Sequence, residues 1–141
     1  FMGDAVLAVF GAPIELANQN LAAVRAALDI REQFHRLRLR WIARREDFSI
    51  IDIAVGVTGG EAFLGNVGSS QRFDYTVIGT PVNVAQRIAS ASPSGRIHIT
   101  REVVAEVKQY FEIAEVGSMR LRGLEKPVTV YSVEREKPGA G

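Results

Sequence analysis

Two polar side chains near the middle of the chain have the types and the spacing needed to bind one polar ligand together. Asn83 and Arg87 lie four residues apart, so on a helix they share one face. An amide group can hydrogen-bond to a sugar, and a guanidinium is a permanently charged fork that suits phosphate oxygens. We therefore expect a ligand that carries both a sugar and phosphates.

This pairing requires a helix that begins just before Asn83. Gly79 frees the turn, Thr80 can cap the exposed amide groups, and Pro81 suits the first helical position, where its missing N–H costs nothing. We therefore predict a helix over residues 80–90, with Thr80 as its cap.

The stretch around these residues closely resembles the core signature of class III nucleotide cyclases, the family that makes cyclic AMP or cyclic GMP from the triphosphate. Residues 72–87 read Arg-Phe-Asp-Tyr-Thr-Val-Ile-Gly-Thr-Pro-Val-Asn-Val-Ala-Gln-Arg. Residues 3–11 resemble the metal-carboxylate hairpin of that family, residues 65–68 its glycine-rich strand end, and residues 121–128 its closing loop and last strand. Any one motif alone is weak, but four in the right order span nearly the whole chain.

The resemblance implies a role for three residues of the signature. Arg87 would stabilise the charge that develops at the α-phosphate, and Asn83 would hold the ribose so that its 3′-hydroxyl lies in line. Thr76 occupies the position that reads the purine edge, where cyclases acting on ATP carry aspartate or threonine. A threonine hydroxyl can accept a hydrogen bond from the adenine amino group, although it can also donate one. With threonine at this position, the chain resembles the subgroup of cyclases that includes the bicarbonate-responsive ones.

A metal site is implied at the first motif. Asp4 follows Gly3 at the tip of an expected hairpin, where a carboxylate is free to meet a divalent ion; the alternative is an ordinary turn aspartate. The resemblance favours Asp4 as a ligand of two Mg²⁺ or Mn²⁺ ions, which activate the attacking oxygen and neutralise the leaving group.

The closing loop departs from the family pattern. Many relatives have a lysine for the triphosphate after the glycine of this loop, whereas this chain has Leu124 after Gly123. Arg122 and Lys126 are the nearby cations that could substitute, and we take both as candidate phosphate-binding residues.

Composition limits the classes of protein. The 141 residues are 47% hydrophobic and 23% charged, which fits one globular domain with a sizeable core. The net charge of +1 gives no bulk field to attract nucleic acid or a membrane surface. The absence of cysteine excludes a disulfide framework and a thiolate metal site. No apolar run reaches the roughly 20 residues of a membrane helix.

The family pattern predicts where the domain begins and ends. Residues 1–135 are expected to form a cyclase catalytic domain that lacks its first strand and helices, and residues 136–141 a flexible tail. By resemblance, the upstream part would carry the other metal-binding aspartate. The residue just before Phe1 would read the base, with lysine favouring ATP and glutamate favouring GTP.

Apolar patterning predicts strands interrupted by single helices. We expect strands over 5–10, 49–57, 61–67, 96–99, 111–116, 119–122 and 128–133, and helices over 16–45, 80–90 and 100–108. The long first helix should bury a stripe formed by Ala23, Ala27, Ile30, Phe34, Leu37 and Trp41. This order predicts an α+β fold with a mainly antiparallel sheet covered by helices, of the ferredoxin-like kind. The palm fold of the cyclase family is of the same kind.

The leading hypothesis is an adenylate cyclase domain that converts ATP to 3′,5′-cyclic AMP and pyrophosphate. By resemblance it would work as a cytoplasmic homodimer, with Asp4 of one chain facing Thr76, Asn83 and Arg87 of the other. Two alternatives stay open: a guanylate cyclase, and a catalytically silent regulator that binds nucleotide. We expect neither nucleic acid nor direct membrane insertion as a partner of this segment.

Overall fold

The computed structural model describes residues 5–12, 15–44, 52–60, 63–67 and 74–139, and within 63–67 and 74–78 it describes the backbone. In this part of the chain the helices are α1 (Gln19–Ala43), α2 (Thr80–Ala91) and α3 (Arg101–Val107). The strands are β1 (Val55–Val57), β2 (Phe63–Val67), β3 (Asp74–Ile78), β4 (Ile97–Thr100), β5 (Phe111–Met119) and β6 (Val128–Glu136).

Four of the strands form one sheet in the order β1-β4-β6-β5. β1 and β4 are parallel, whereas β4 and β5 each pair with β6 in antiparallel fashion. β2 and β3 form a separate antiparallel pair. The predicted α+β class with a mainly antiparallel sheet is therefore confirmed. None of the helices in the described residues is both long enough and apolar enough to cross a membrane.

The two faces of the sheet carry two different apolar clusters. Side chains alternate along a strand, and in β1 this directs Val55 and Val57 toward one face and Gly56 toward the other. The larger cluster lies on the Val55 side, between the sheet and helices α1 and α3. Its buried members are Val24, Ala27, Ile97, Ile99, Val103, Val107, Phe111 and Val133.

Helix α2 packs on the opposite face through a smaller cluster. Ile88 of α2 is fully buried against Val130 of β6 and Leu121, which lies just after β5. Val84, one turn before Ile88, packs against the same group. This small cluster fixes the height and rotation of α2 over the sheet.

Gly56 lets α2 approach β1 closely. A Cβ atom at Gly56 would lie 2.5 Å from the main-chain oxygen of Ala85 and 3.3 Å from Cβ of Ile88. The first distance is far below van der Waals contact, so any larger residue at position 56 must push α2 away from the sheet.

The predicted apolar stripe of α1 is wrong at Ile30, whereas its members Ala23, Phe34, Leu37 and Trp41 are half-buried. Val24 and Ala27 are buried, but Ile30 is 53% exposed. Four residues after Ala27, Arg31 turns toward the sheet and donates a hydrogen bond to the main-chain oxygen of Glu134 (2.8 Å). Because Arg31 takes the inward position, the neighbouring Ile30 is rotated outward.

The remaining strand predictions are partly correct. We predicted two strands over 111–116 and 119–122, but β5 runs unbroken from Phe111 to Met119. Its register with β6 shifts between Glu115 and Gly117, where the pairing skips Val116. In the predicted strand 5–10, the structure shows only a single bridge at Ala5. No strand of the described residues lies beside 6–10, and Val6 is 68% exposed. Residues 49–51 and 61–62 of two other predicted strands lie outside the described residues.

The close approach at Gly56 gives a testable prediction. In Gly56→Ala the added methyl group clashes with α2. Such overpacking lowers the free energy of unfolding by about 1–3 kcal/mol. We therefore expect amide hydrogen exchange in α2 to be faster by about 5- to 150-fold. Gly59→Ala is the matched control, because its Cβ would meet Asn20 at an ordinary 3.5 Å. Equal exchange rates in α2 for the two variants would contradict this packing.

Candidate active site

Helix α2 presents one polar face to solvent. Asn83, Arg87 and Ser90 are exposed and recur at the spacing of one helix face, while Ile88 is buried on the other side. The helix ends at Ala91, so the predicted helix over 80–90 is confirmed. The shared face of Asn83 and Arg87 follows from the burial of Ile88.

The start of α2 differs from the prediction in its cap. Thr80 is the first helical residue and makes no capping hydrogen bond, because Gly79 takes the N-cap position with φ 154° and ψ 168°, a conformation open to glycine alone in practice. The main-chain N–H of Asn83 donates to the oxygen of Gly79 (3.3 Å). The hydroxyl of Thr58, just after β1, donates to the oxygen of Pro81 (2.6 Å) and ties the first turn to the sheet.

A cavity of about 390 Å³ opens beside the second half of α2. Its walls come from α2 and from the segment that follows β5; the lining residues are Gln86, Arg87, Ser90, Ala91, Arg120, Leu121 and Arg122. The lining contains three guanidinium groups and no carboxylate. Such a lining favours an anionic ligand with several oxygen atoms.

The segment after β5 forms a tight loop over α2. The N–H of Leu124 donates to the oxygen of Leu121 (3.1 Å), and the side chain of Leu124 packs against the small cluster around Ile88. Gly123 adopts a left-handed conformation with φ 87°, and a Cβ atom there would lie 3.8 Å from Nη2 of Arg87. The loop therefore passes directly beside the guanidinium of Arg87.

The structure brings some of the predicted site residues together. Arg87 and Arg122 line the same cavity. Asn83 lies on the same exposed face of α2, one turn earlier, while Lys126 is exposed in the loop but does not line the cavity. Thr76 lies in β3, paired with Gly65 of β2.

The predicted metal ligand Asp4 lies outside the described residues. Within the described ranges, no three His, Cys, Asp or Glu side chains come close enough together to hold a metal ion. A lone aspartate carboxylate is a suitable oxygen donor for Mg²⁺ or Mn²⁺, but one donor is not a complete site. The described residues by themselves do not provide a metal centre.

Sequence reasoning missed Arg120, which lines the cavity with Arg87 and Arg122. A signal for it was present. In the sequence Arg120-Leu121-Arg122, a single apolar residue separates two cations, and the structure buries Leu121 to 5% exposure while leaving both arginines exposed. Gln86 and Ser90 were missed as well, and their helical spacing from Arg87 is the signal that could have identified them.

The far end of α2 is held by a buried histidine. The hydroxyl of Ser92 lies 2.5 Å from the oxygen of Ile88 and 2.6 Å from Nδ1 of His98. Since the single hydroxyl hydrogen is donated to Ile88, Nδ1 of His98 must be the donor to Ser92. Burial of the ring lowers the pKa of His98 below its ordinary value of 6.5, the nearby Arg96 lowers it further, and Glu134 opposes the shift.

Comparisons with known proteins identify one family for this chain. The family described as "Adenylate and Guanylate cyclase catalytic domain" matches residues 1–135. An uncharacterized protein of Mycobacterium tuberculosis is 32% identical over 146 residues, which cover 99% of this chain and 24% of that protein. A second uncharacterized protein of this organism is 38% identical over 136 residues, which cover 94% of this chain and 22% of that protein. The chain spans about a quarter of the length of these relatives.

Two solved structures resemble the chain along most of its length. The adenylyl cyclase CyaB from P. aeruginosa superposes with a TM-score of 0.82 at 31% identity, covering 94% of this chain and 68% of that one. The guanylyl cyclase Cya2 superposes with a TM-score of 0.88 at 25% identity, covering 99% of this chain and 70% of that one. These two structures confirm the predicted cyclase fold. One is named an adenylyl cyclase and the other a guanylyl cyclase, so they do not decide between the two bases.

The burial of His98 predicts a pH dependence of stability. Because the pKa of His98 is lower in the folded than in the unfolded protein, the unfolded state binds more protons below about pH 6.5, so the free energy of unfolding falls as pH falls through this window. We expect exchange protection in β4, corrected for intrinsic rates, to be lower at pH 5.5 than at pH 7.5. His98→Asn should reduce this difference, whereas the same change at the exposed His35 should not. An unchanged pH response in His98→Asn would contradict the assignment.

Proposed function

The chain belongs to the adenylate and guanylate cyclase catalytic domain family, and we propose that it converts ATP to 3′,5′-cyclic AMP and pyrophosphate. The observation that carries this proposal is the cavity in which Arg87 of the family signature lies beside the cations of the closing loop. A polyphosphate chain is the ligand whose charge best matches three guanidinium groups without a carboxylate.

In the proposed reaction, the ribose 3′-oxygen forms a bond to the α-phosphorus as the bond from that phosphorus to the bridging oxygen of pyrophosphate breaks. The hydroxyl proton passes to solvent, and pyrophosphate leaves with the electron pair. Arg87 stabilises the negative charge that develops on the α-phosphate oxygens, since a preorganised guanidinium needs no reorganisation during the reaction. Asn83, one helical turn earlier on the same exposed face, holds the ribose in line for attack.

The preference for adenine rests on Thr76. Its backbone lies in β3, four residues before the start of α2, so the base-reading position and Arg87 belong to one continuous strand–turn–helix unit. A threonine hydroxyl can accept from the adenine amino group. Because that hydroxyl can also donate to the oxygen of guanine, cyclic GMP formation is the near alternative.

Two Mg²⁺ or Mn²⁺ ions belong to this proposal, with Asp4 as one of their carboxylate ligands. When bound, such ions neutralise charge on the phosphates and lower the pKa of an attacking hydroxyl. ATP is a cytoplasmic metabolite, so the proposed site faces the cytoplasm.

We further propose that the site is completed by a second copy of the chain. In the family pattern the metal ligands and the base, ribose and phosphate readers come from different chains. Asp4 of one copy would then act with Thr76, Asn83 and Arg87 of its partner, which gives two equivalent sites in an isologous dimer.

One observation favours a second function, that of a catalytically silent regulator that binds nucleotide. Leu124 stands where many relatives have the triphosphate lysine, and it packs into the cluster around Ile88 instead of entering the cavity. Lys126 does not line the cavity either. If Arg120 and Arg122 do not replace the lysine, nucleotide would bind without turnover.

The proposed role of Arg87 predicts a large loss of activity on truncation. Arg87→Ala should lower cyclic AMP formation from ATP by about 10²- to 10³-fold, as for other preorganised donors to a transition state. The assay uses the full-length protein with Mn²⁺ and offers ATP and GTP separately. Arg101→Ala is the matched control, since Arg101 is exposed at the start of α3 and does not line the cavity.

Cyclic GMP as the main product would overturn the assignment of ATP while leaving the cyclase assignment intact. No product from either triphosphate would favour the silent regulator. Wild-type rates in Arg87→Ala would contradict the mechanism itself.

The composite site predicts complementation between two inactive variants. Asp4→Ala and Arg87→Ala should each be nearly inactive alone, but an equimolar mixture that exchanges subunits forms heterodimers in which one of the two sites is intact. Random exchange makes half of the dimers mixed, so about a quarter of the unsubstituted activity should return. Absence of any recovery, with subunit exchange demonstrated by mass, would contradict a site shared between two chains.

A further inference from the structure

The cavity beside α2 contains more positive charge than the family signature accounts for. Arg87, Arg120 and Arg122 all line it, and none of these three makes an ion pair with a carboxylate of the described residues. By contrast, several arginines elsewhere on the described surface do, as in the pairs Arg25–Glu136 and Arg135–Glu112. Three neighbouring guanidinium groups without a counter-charge indicate a site for an external anion.

Leu121 explains why two of these arginines reach the same cavity. Its side chain is buried to 5% exposure against Ile88 and Val130, which anchors the chain at the point where β5 has ended. Arg120 and Arg122 flank this anchor, and both are exposed. Because both arginines flank this one buried side chain and both line the cavity, a single apolar contact presents two cations together.

By the family resemblance, Leu124 stands where many relatives have a lysine for the triphosphate. Leu124, at the position that follows Gly123, packs beneath the loop with Ile88 and Leu121 and does not line the cavity. Lys126 is exposed outside the cavity. Arg120 and Arg122 are therefore the loop cations that face Arg87.

We propose that Arg120, together with Arg122, binds the β- and γ-phosphates of the nucleotide, in place of the lysine that is replaced by Leu124. The identity of the ligand as a nucleoside triphosphate rests on the proposed function. In this arrangement Arg87 contacts the α-phosphate, and the two loop arginines contact the part of the substrate that leaves as pyrophosphate. Arg120 is thus a binding residue for substrate and for one product.

The division of contacts follows from the positions of the three side chains. Arg87 is one turn after Asn83 on the same helix face, and because Asn83 would hold the ribose in the proposed function, we assign Arg87 to the phosphate next to the nucleoside. Arg120 and Arg122 belong to the opposite wall, formed by the segment after β5. A triphosphate carries about four negative charges at neutral pH, and each of the three guanidinium forks can donate hydrogen bonds to two of its oxygens.

A direct test measures binding of inorganic tripolyphosphate to the full-length protein by calorimetry. Loss of one charge-assisted contact typically weakens binding by about 10- to 100-fold, and this is the effect expected for Arg120→Ala. Arg120→Lys should restore part of the affinity, because it keeps the charge but loses the fork. Arg101→Ala, which removes the same charge outside the cavity, should bind tripolyphosphate as tightly as the unsubstituted protein.

A kinetic measurement separates binding from a merely structural effect. Arg120→Ala should raise the KM for ATP and weaken product inhibition by pyrophosphate by a similar factor of about 10 or more, while binding of adenosine 5′-monophosphate stays unchanged. A general disturbance of the loop would instead weaken both ligands. The melting temperature of each variant checks that the domain is folded.

The outcomes distinguish this inference from the proposed function. If the unsubstituted protein makes cyclic AMP but Arg120→Ala binds tripolyphosphate normally, the assignment of Arg120 is wrong and the cyclase activity stands. If Arg120→Ala loses tripolyphosphate binding but the unsubstituted protein makes no cyclic nucleotide, Arg120 remains a polyphosphate ligand and the proposed activity is wrong. Failure of the unsubstituted protein to bind tripolyphosphate would overturn the inference.

Discussion

The contact between Ile88 and Leu121 is the constraint on which the candidate site depends. It joins the buried side of α2 to the segment that follows β5, and Val130 of β6 forms the floor beneath both. Gly56 adds a second restraint, because only the absence of a side chain allows the main chain of α2 to lie so close to β1. With the buried side fixed in this way, the exposed side of α2 has a single orientation, and Arg87 points at the loop.

The same arrangement assembles charges that repel one another. Three arginines around one cavity cost electrostatic free energy in the absence of ligand, although solvent screens much of that cost because all three are exposed. The buried cluster of Ile88, Leu121 and Val130 beneath these arginines contributes folding free energy that offsets the repulsion. A ligand with several negative oxygens would relieve this repulsion.

Local sequence signals predicted the parts of the site that depend on local geometry. The helix that carries Asn83 and Arg87 follows from the glycine and proline at its start and from its apolar spacing, and these signals need no knowledge of the rest of the fold. The cap was misassigned to Thr80 because Gly79 and Thr80 are both acceptable caps in sequence, and only the observed backbone conformation decides between them. The inward turn of Arg31 in place of Ile30 depends on main-chain oxygens of distant residues, which periodicity within α1 cannot reveal.

Arg120 shows the limit of motif-based inference most clearly. The closing-loop motif begins at Leu121 and does not include Arg120, although the burial of Leu121 brings Arg120 to the wall of the cavity. Leu124 in place of the expected lysine was visible in the sequence, and so was Arg122 as a candidate substitute, but the position of Arg120 beside Arg122 became evident only from the lining of the cavity. Long-range packing, and not local pattern, decides which charges share a site.

The most direct test of this account is a crystal structure of the full-length protein with a non-cyclisable ATP analogue that lacks the 3′-hydroxyl. We expect the analogue in the cavity beside α2, with Arg87 bonded to the α-phosphate and Arg120 and Arg122 bonded to the β- and γ-phosphates. An analogue bound elsewhere, or one whose phosphates contact none of these three arginines, would contradict it.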